Sequence, residues 1–196
     1  MRRIAIVGTA GAGKSVLAGR LAPALGAEIV ELDQLFWGPD WTPVLPELFR
    51  HRVEAATSAD RWIVSGNYAQ VRDIVWRRAD TVVWLDYALP LSLRRLAART
   101  IRRVVSGEDL WGTGNRETWR ALFGRDSILL WAARTHQRNA QRLTQSLDEQ
   151  RFAHLQTLRF KSPRELRRWL AAQASADRPT TGASADEARY GAMAGR

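Results

Sequence analysis

The stretch Gly8-Thr9-Ala10-Gly11-Ala12-Gly13-Lys14-Ser15 constrains this chain more than any other. It satisfies G-x-x-x-x-G-K-[ST], a pattern in which glycines let backbone N–H groups approach phosphate oxygens. The flanks supply the context the pattern requires. Ile4-Ala5-Ile6-Val7 is a short apolar run that reads as a buried strand, and Val16, Leu17, Leu21 and Leu25 recur at helical spacing. Strand, glycine loop and helix arrive in the order an anion site needs, because a helix N-terminus presents unpaired N–H groups and partial positive charge. Residues Gly8 to Ser15 are therefore the expected nucleotide-binding set, with ATP or GTP as the ligand.

Composition narrows the remaining classes. At 196 residues the chain suffices for one α/β core. No apolar run approaches the ~20 residues of a membrane span, so no membrane partner is expected. The apolar segment after Met1-Arg2-Arg3 is too short for a secretory leader and runs straight into the glycine loop, so the start reads as mature structure. The absence of cysteine excludes disulfides, thiolate catalysis and cysteine metal sites, and is compatible with the cytoplasm. His51, His136 and His154 have no ligand-like spacing. The net charge of +10 raises nucleic acid as a partner. Lys14 and Lys161 are the only lysines among 30 basic residues, so the excess is scattered arginine, and nucleic acid is not the favoured partner.

Along the chain, Pro23 and Gly26 are expected to close the first helix. Glu28 to Leu32 reads as a second strand ending at Asp33, whose carboxylate would face the same crevice as Lys14. There Asp33 would hold a Mg²⁺-bound water or accept a hydrogen bond from a substrate hydroxyl; a turn or capping role is the plain alternative. The aromatic stretch Leu35 to Pro43 reads as an ordered loop, and a helix follows from about Pro46 to Ala59 with Leu48, Val53 and Ala56 inward. Arg61 to Val64 and Thr81 to Leu85 are further strands. The first of these leads into Ser65-Gly66-Asn67-Tyr68 and then a helix through Val71, Ile74 and Val75. Apolar strands separated by helices imply a doubly wound parallel sheet.

From Pro90 a helix carries Arg95 and Arg99, four residues apart and so on one face, where two guanidiniums can grip phosphate oxygens. Residues 104–126, with Gly107, Gly112, Gly114, Trp111 and Arg116, read as a flap that excludes water during phosphoryl transfer. Asn115 is expected to cap a short helix containing Trp119 and Leu122, and Asp126 or Ser127 to begin a longer one to about Leu147. A fifth, edge strand is expected over His154 to Phe160. Ser162-Pro163-Arg164-Glu165 then forms a capping box for a final helix. Residues 1–174 read as one domain and residues 175–196 as a disordered tail.

This layout resembles the adenylate-kinase-like P-loop small-molecule kinases. The likeness rests on Gly8 to Ser15 and on Arg95-Leu96-Ala97-Ala98-Arg99, which looks like the R-x-x-x-R of that family. Leu32-Asp33-Gln34-Leu35-Phe36-Trp37, Trp62 to Tyr68 and Val83-Trp84-Leu85-Asp86 resemble more closely a bacterial topology-modulation (FlaR-like) subgroup. The resemblance implies a three-layer fold with five parallel strands in the order 2-3-1-4-5 and a helical lid. It also implies ATP and Mg²⁺ as cofactors and a small-molecule acceptor. Lys14, Asp33, Arg95 and Arg99 would be catalytic, Ser15 and Asp33 would serve the metal, and Arg95 and Arg99 would contact the nucleotide as well. Ser65-Gly66-Asn67-Tyr68 stands where adenylate kinases carry Asp-Gly-Phe-Pro-Arg, which puts AMP as acceptor in doubt. Asp33 is reminiscent of the shikimate- and gluconate-kinase branch. A competing reading, an ATP-switched regulatory or DNA-associated NTPase, rests on the net charge and on the subgroup's label.

Overall fold

Four short runs rich in Ile, Val and Trp, and a fifth that is more polar, pair into one sheet in the computed structural model, which describes residues 1–124 and 127–176. The strands are β1 (Arg3–Gly8), β2 (Glu28–Glu31), β3 (Trp62–Ser65), β4 (Thr81–Leu85) and β5 (Gln156–Phe160). Their order is β2-β3-β1-β4-β5, and every pairing is parallel, as the resemblance implied. Parallel neighbours need crossovers, which here are helical. They are α1 (Lys14–Leu25), α2 (Leu32–Phe36), α3 (Pro46–Ala56), α4 (Arg72–Arg78), α5 (Leu89–Ser106), α6 (Arg120–Phe123) and α7 (Ile128–Leu147). Central β3 and β4 are buried along their whole length, whereas β5, at the edge, buries only Phe160. The connection from β1 runs to β2 on one side and that from β3 crosses β1 to β4 on the other, so the strand order reverses at β1, and the crevice beyond its carboxyl end is the place where open α/β sheets bind ligands.

The core under this crevice is aromatic. Trp62, Trp76, Phe49 and Phe152 are each almost fully buried, and Trp76 meets Phe152 edge to face at 5.2 Å between centroids. Several boundaries differ from the sequence reading. Pro23 lies inside the last turn of α1, where it forfeits one backbone bond without ending the helix. Gly26, in the left-handed region, closes it. β2 stops at Glu31, so Asp33 sits in the first turn of a short helix instead of at a strand end. Leu48 points outward and Phe49 takes its inward place, one turn before Val53, while α3 ends three residues early as Thr57 Oγ1 donates to the Val53 carbonyl at 2.7 Å. β5 begins two residues late because Leu155 N still donates to the Phe152 carbonyl of a 3₁₀ turn.

α7 starts where a cap was expected. Ser127 Oγ accepts from Leu129 N at 3.2 Å and donates to the buried Leu122 carbonyl at 2.7 Å; the alternative cap, Asp126, lies outside the described residues. Ser127→Ala removes both bonds and is expected to cost about 1–2 kcal/mol in urea denaturation.

By its internal contacts the chain divides into two units, Met1–Pro163 and Arg164–Arg196. The second contains the body of α8 (Pro163–Ala176), which opens at the proline the capping signal marked. Ser175 and Ala176 still belong to that helix, and the rest of the expected tail lies outside the described residues. No helix among the described residues is long and apolar enough to cross a membrane.

Candidate active site

The glycine loop joins β1 to α1 through backbone that side chains resist. Gly11 and Gly13 have φ of 82° and 97°, and a Cβ on Gly11 would lie 2.3 Å from the Ser92 carbonyl oxygen. Ala12 N donates to the Thr9 carbonyl, which tightens the turn. Lys14 folds back over the loop, with Nζ donating to the carbonyls of Gly8 at 3.1 Å and Thr9 at 3.4 Å. Burial holds this ammonium below the ordinary lysine value; Asp33 opposes the shift and Arg99 adds to it. Ser15 Oγ lies 3.4 Å from Ser65 Oγ at the end of β3. Thr9 Oγ1 shares a 2.9 Å hydrogen bond with His136 Nδ1, which fastens the loop to α7.

Across the crevice, the Tyr68 hydroxyl donates to Asp33 Oδ1 at 2.6 Å. Burial first, and the adjacent Asp33 charge second, push the Tyr68 phenol far above the ordinary tyrosine value, so it remains a donor. Phe36 and Phe49 pack against the Tyr68 ring, with centroids at 4.8 and 5.3 Å, and fix its direction. One oxygen of Asp33 is thus oriented by α2, the turn after β3 and the aromatic core together.

Arg95 and Arg99 do share one face of α5, with different surroundings. Arg95 Nη1 reaches the Ala12 carbonyl at 3.4 Å, and its guanidinium lies 5.6 Å from the Tyr87 ring centroid. Arg99 Nη2 lies 3.6 Å from Glu117 Oε1, the same oxygen that accepts from Arg103 Nη1 at 2.9 Å. Burial lowers Arg99 from the ordinary arginine value, Arg103 adds to this, and Glu117 and Asp33 oppose it. Lys14, Asp33 and Arg99 therefore lie within one another's electrostatic reach, and Arg95 leans on the glycine loop.

The segment expected as a flap is built around Glu117 and Asn115, to which spacing alone assigned other roles or none. Glu117 is 7% exposed at the side chain. Glu117→Ala leaves two crowded guanidiniums without their shared anion and is expected to cost about 1.5–3 kcal/mol in denaturant titration, the range for a hydrogen bond to a charged group. Asn115 does not cap a helix: α6 begins only at Arg120. Its buried side chain instead accepts from Trp41 N and donates to the Gly38 carbonyl, both at 2.8 Å. Trp41 Nε1 donates to the Arg116 carbonyl at 3.3 Å, and Trp41 meets Trp111 edge to face at 6.0 Å. Asp40, Trp41 and Trp111 all adopt positive φ, strain that this contact holds in place. The aromatic loop is thus the surface on which residues 110–116 rest.

No family model matches the chain. A shikimate kinase from Corynebacterium efficiens is 29% identical over 157 residues, covering 71% of this chain and 90% of that protein. The crystal structure of shikimate kinase from Bacteroides thetaiotaomicron superposes with a TM-score of 0.51 at 16% identity, over 89% of this chain and 97% of the other, a likeness of fold. Sheet order, glycine loop and these relatives give the chain the fold of the adenylate-kinase-like P-loop kinases. Neither relative is a topology-modulation protein, so the likeness stands at the level of the wider class.

Proposed function

We propose that this chain transfers the γ-phosphoryl group of ATP to a hydroxyl of a small acceptor. The observation that carries the reading is the placement of Asp33, oriented by Tyr68, within electrostatic reach of Lys14 and Arg99 beyond the carboxyl ends of the strands. In this reading the loop amides of Gly8 to Ser15 and the Lys14 ammonium bind the β- and γ-phosphates. Nucleotide arrival offers Lys14 anionic oxygens in place of two backbone carbonyls. Arg95 and Arg99 neutralise charge that develops on the transferring group. Asp33 orients the acceptor hydroxyl and takes up its proton, while the Tyr68 bond keeps the carboxylate aimed.

The hydroxyl of Ser15 and the carboxylate of Asp33 are hard oxygen donors. They suit Mg²⁺, which keeps most of its waters and is held by few protein groups plus phosphate. When bound, the ion would supply charge neutralisation at the β- and γ-oxygens. The segment over residues 104–124 would cover the site, and the cytoplasm is the compartment where such a kinase meets ATP. Because the Corynebacterium efficiens relative is a shikimate kinase, hydroxylated acids head the acceptor panel.

The test is a transfer assay with ATP and Mg²⁺ against hydroxy acids, sugar acids, nucleosides and nucleoside monophosphates, beside a control lacking acceptor. Acceptor-dependent ADP release with a phosphorylated product is expected. ATP hydrolysis indifferent to every acceptor, together with salt-sensitive DNA binding, would instead favour a nucleotide-switched protein.

A further inference from the structure

The segment that follows α5 holds a carboxylate whose two partners are unequal. Glu117 Oε1 accepts from Arg103 Nη1 at 2.9 Å, but stands only within ion-pair distance, 3.6 Å, of Arg99 Nη2. Glu117 Oε2 is buried without a hydrogen-bond partner, and so is the Arg99 Nε–H. A carboxylate and a guanidinium that could meet through two parallel hydrogen bonds therefore make none. Arg103 has a second anion, Glu108, at 3.6 Å. Among the described residues Arg99 has only Glu117 within ion-pair distance.

This arrangement separates an anchor from an exchangeable member. Four-residue spacing on α5 brings both guanidiniums to one carboxylate, yet only Arg103 hydrogen-bonds to it. If Arg99 withdraws, Arg103 still has Glu108 and Glu117, which suffices to keep their segment on α5. Arg99 also lies within electrostatic reach of Lys14 and Asp33, so it faces the crevice and the covering segment at once. Its side chain is 35% exposed against 7% for Glu117, which makes Arg99 the partner with room to move. Phosphate oxygens beside Lys14 would offer its fork the two-bond contact that Glu117 does not give. They would do so in competition with Glu117, whose buried charge repels them as well.

We infer that Glu117 is a built-in counter-ion for Arg99: it holds the guanidinium until nucleotide arrives, yields it to the phosphates, and thereby sets nucleotide affinity. This deepens the phosphotransfer reading and rests on it. Glu117 is a positioning residue, since it acts through Arg99. The long contact is what an exchange requires. A two-bond Arg99–Glu117 pair would tie the arginine away from the crevice, whereas no pair at all would leave a desolvated charge beside the like charge of Lys14. One ion pair without a hydrogen bond neutralises Arg99 and releases it at small cost. Arg103 keeps Glu117 in place through the exchange.

The experiment is calorimetric binding of ATP and of inorganic tripolyphosphate to the full chain and its variants. Glu117→Gln keeps an oxygen for Arg103 and removes the charge, and is expected to tighten both ligands by about fivefold or more, the lower end of coupling between sites. Glu117→Asp, which keeps the charge, should tighten neither. Arg103→Gln leaves Glu117 to Arg99 alone and should weaken both ligands, whereas a mere docking role for Glu117 would move Glu117→Gln and Arg103→Gln the same way. In an Arg99→Gln background both effects should largely vanish. If Glu117→Gln fails to fold, Arg103→Gln decides: its weakening must depend on Arg99. Unchanged or weaker binding by folded Glu117→Gln, or a gain that persists in full without Arg99, overturns the inference. So does a gain for ATP that tripolyphosphate does not share. Phosphate-specific tightening without transfer to any acceptor would instead sink the kinase reading and leave the Glu117 exchange standing.

Discussion

Lys14→Ala is expected to lower phosphoryl transfer by about 10³-fold or more while the fold survives. Among the described residues the ammonium hydrogen-bonds only to the loop's own carbonyls, those of Gly8 and Thr9. Its removal therefore releases two backbone acceptors at the crevice and leaves the sheet core unchanged. Because burial already weighs against this charge, the variant should melt no lower than wild type. The loss should fall on both ATP affinity and turnover, since phosphate charge is present in the ground state and grows in the transition state. Calorimetric ATP binding and steady-state kinetics check this, with circular dichroism as the folding control. Unchanged turnover would remove the glycine loop from the chemistry.

Asp33→Asn is the second large effect, expected to cut turnover by about 10²–10⁴-fold with little change in ATP affinity. Asparagine preserves an oxygen acceptor for the Tyr68 hydroxyl, so the turn after β3 keeps its shape while the proton acceptor is lost. A pH signature accompanies it. Asp33 raises the pKa of Lys14 against the pull of burial. Without that charge the ammonium loses its proton at lower pH, so the alkaline limb of the residual pH–rate profile should move downward. A variant with wild-type turnover would show that Asp33 is only a turn residue.

The fold was legible from short apolar runs because parallel strands buried on both faces carry few polar residues. β1, β3 and β4 coincide with their expected positions to within one residue. Boundaries failed where a single hydrogen bond or proline decided them, as at Pro23 and Thr57. Site residues were legible in proportion to how locally they act. Gly8 to Ser15 lie within one turn of chain, and Arg95 and Arg99 on one helix face. Asn115 was not legible: its two partners are Gly38 and Trp41, more than 70 residues away, and its local surroundings suggested a helix cap.

What the sequence by itself determined is the glycine-loop end of the candidate site. G-x-x-x-x-G-K-S between an apolar strand and a helix specifies backbone conformation, glycine placement and charge within about a dozen residues. Only the tertiary structure decided the opposite side of the crevice. Asp33, Tyr68, Asn67 and Arg72 come from two separate connections and meet because β2 and β3 lie side by side. Glu117 and Asn115 join the site only when residues 107–117 come to rest on α5 and the aromatic loop. Charge, exposure and missing partners are properties of neighbours in space, and spacing along the chain does not encode them.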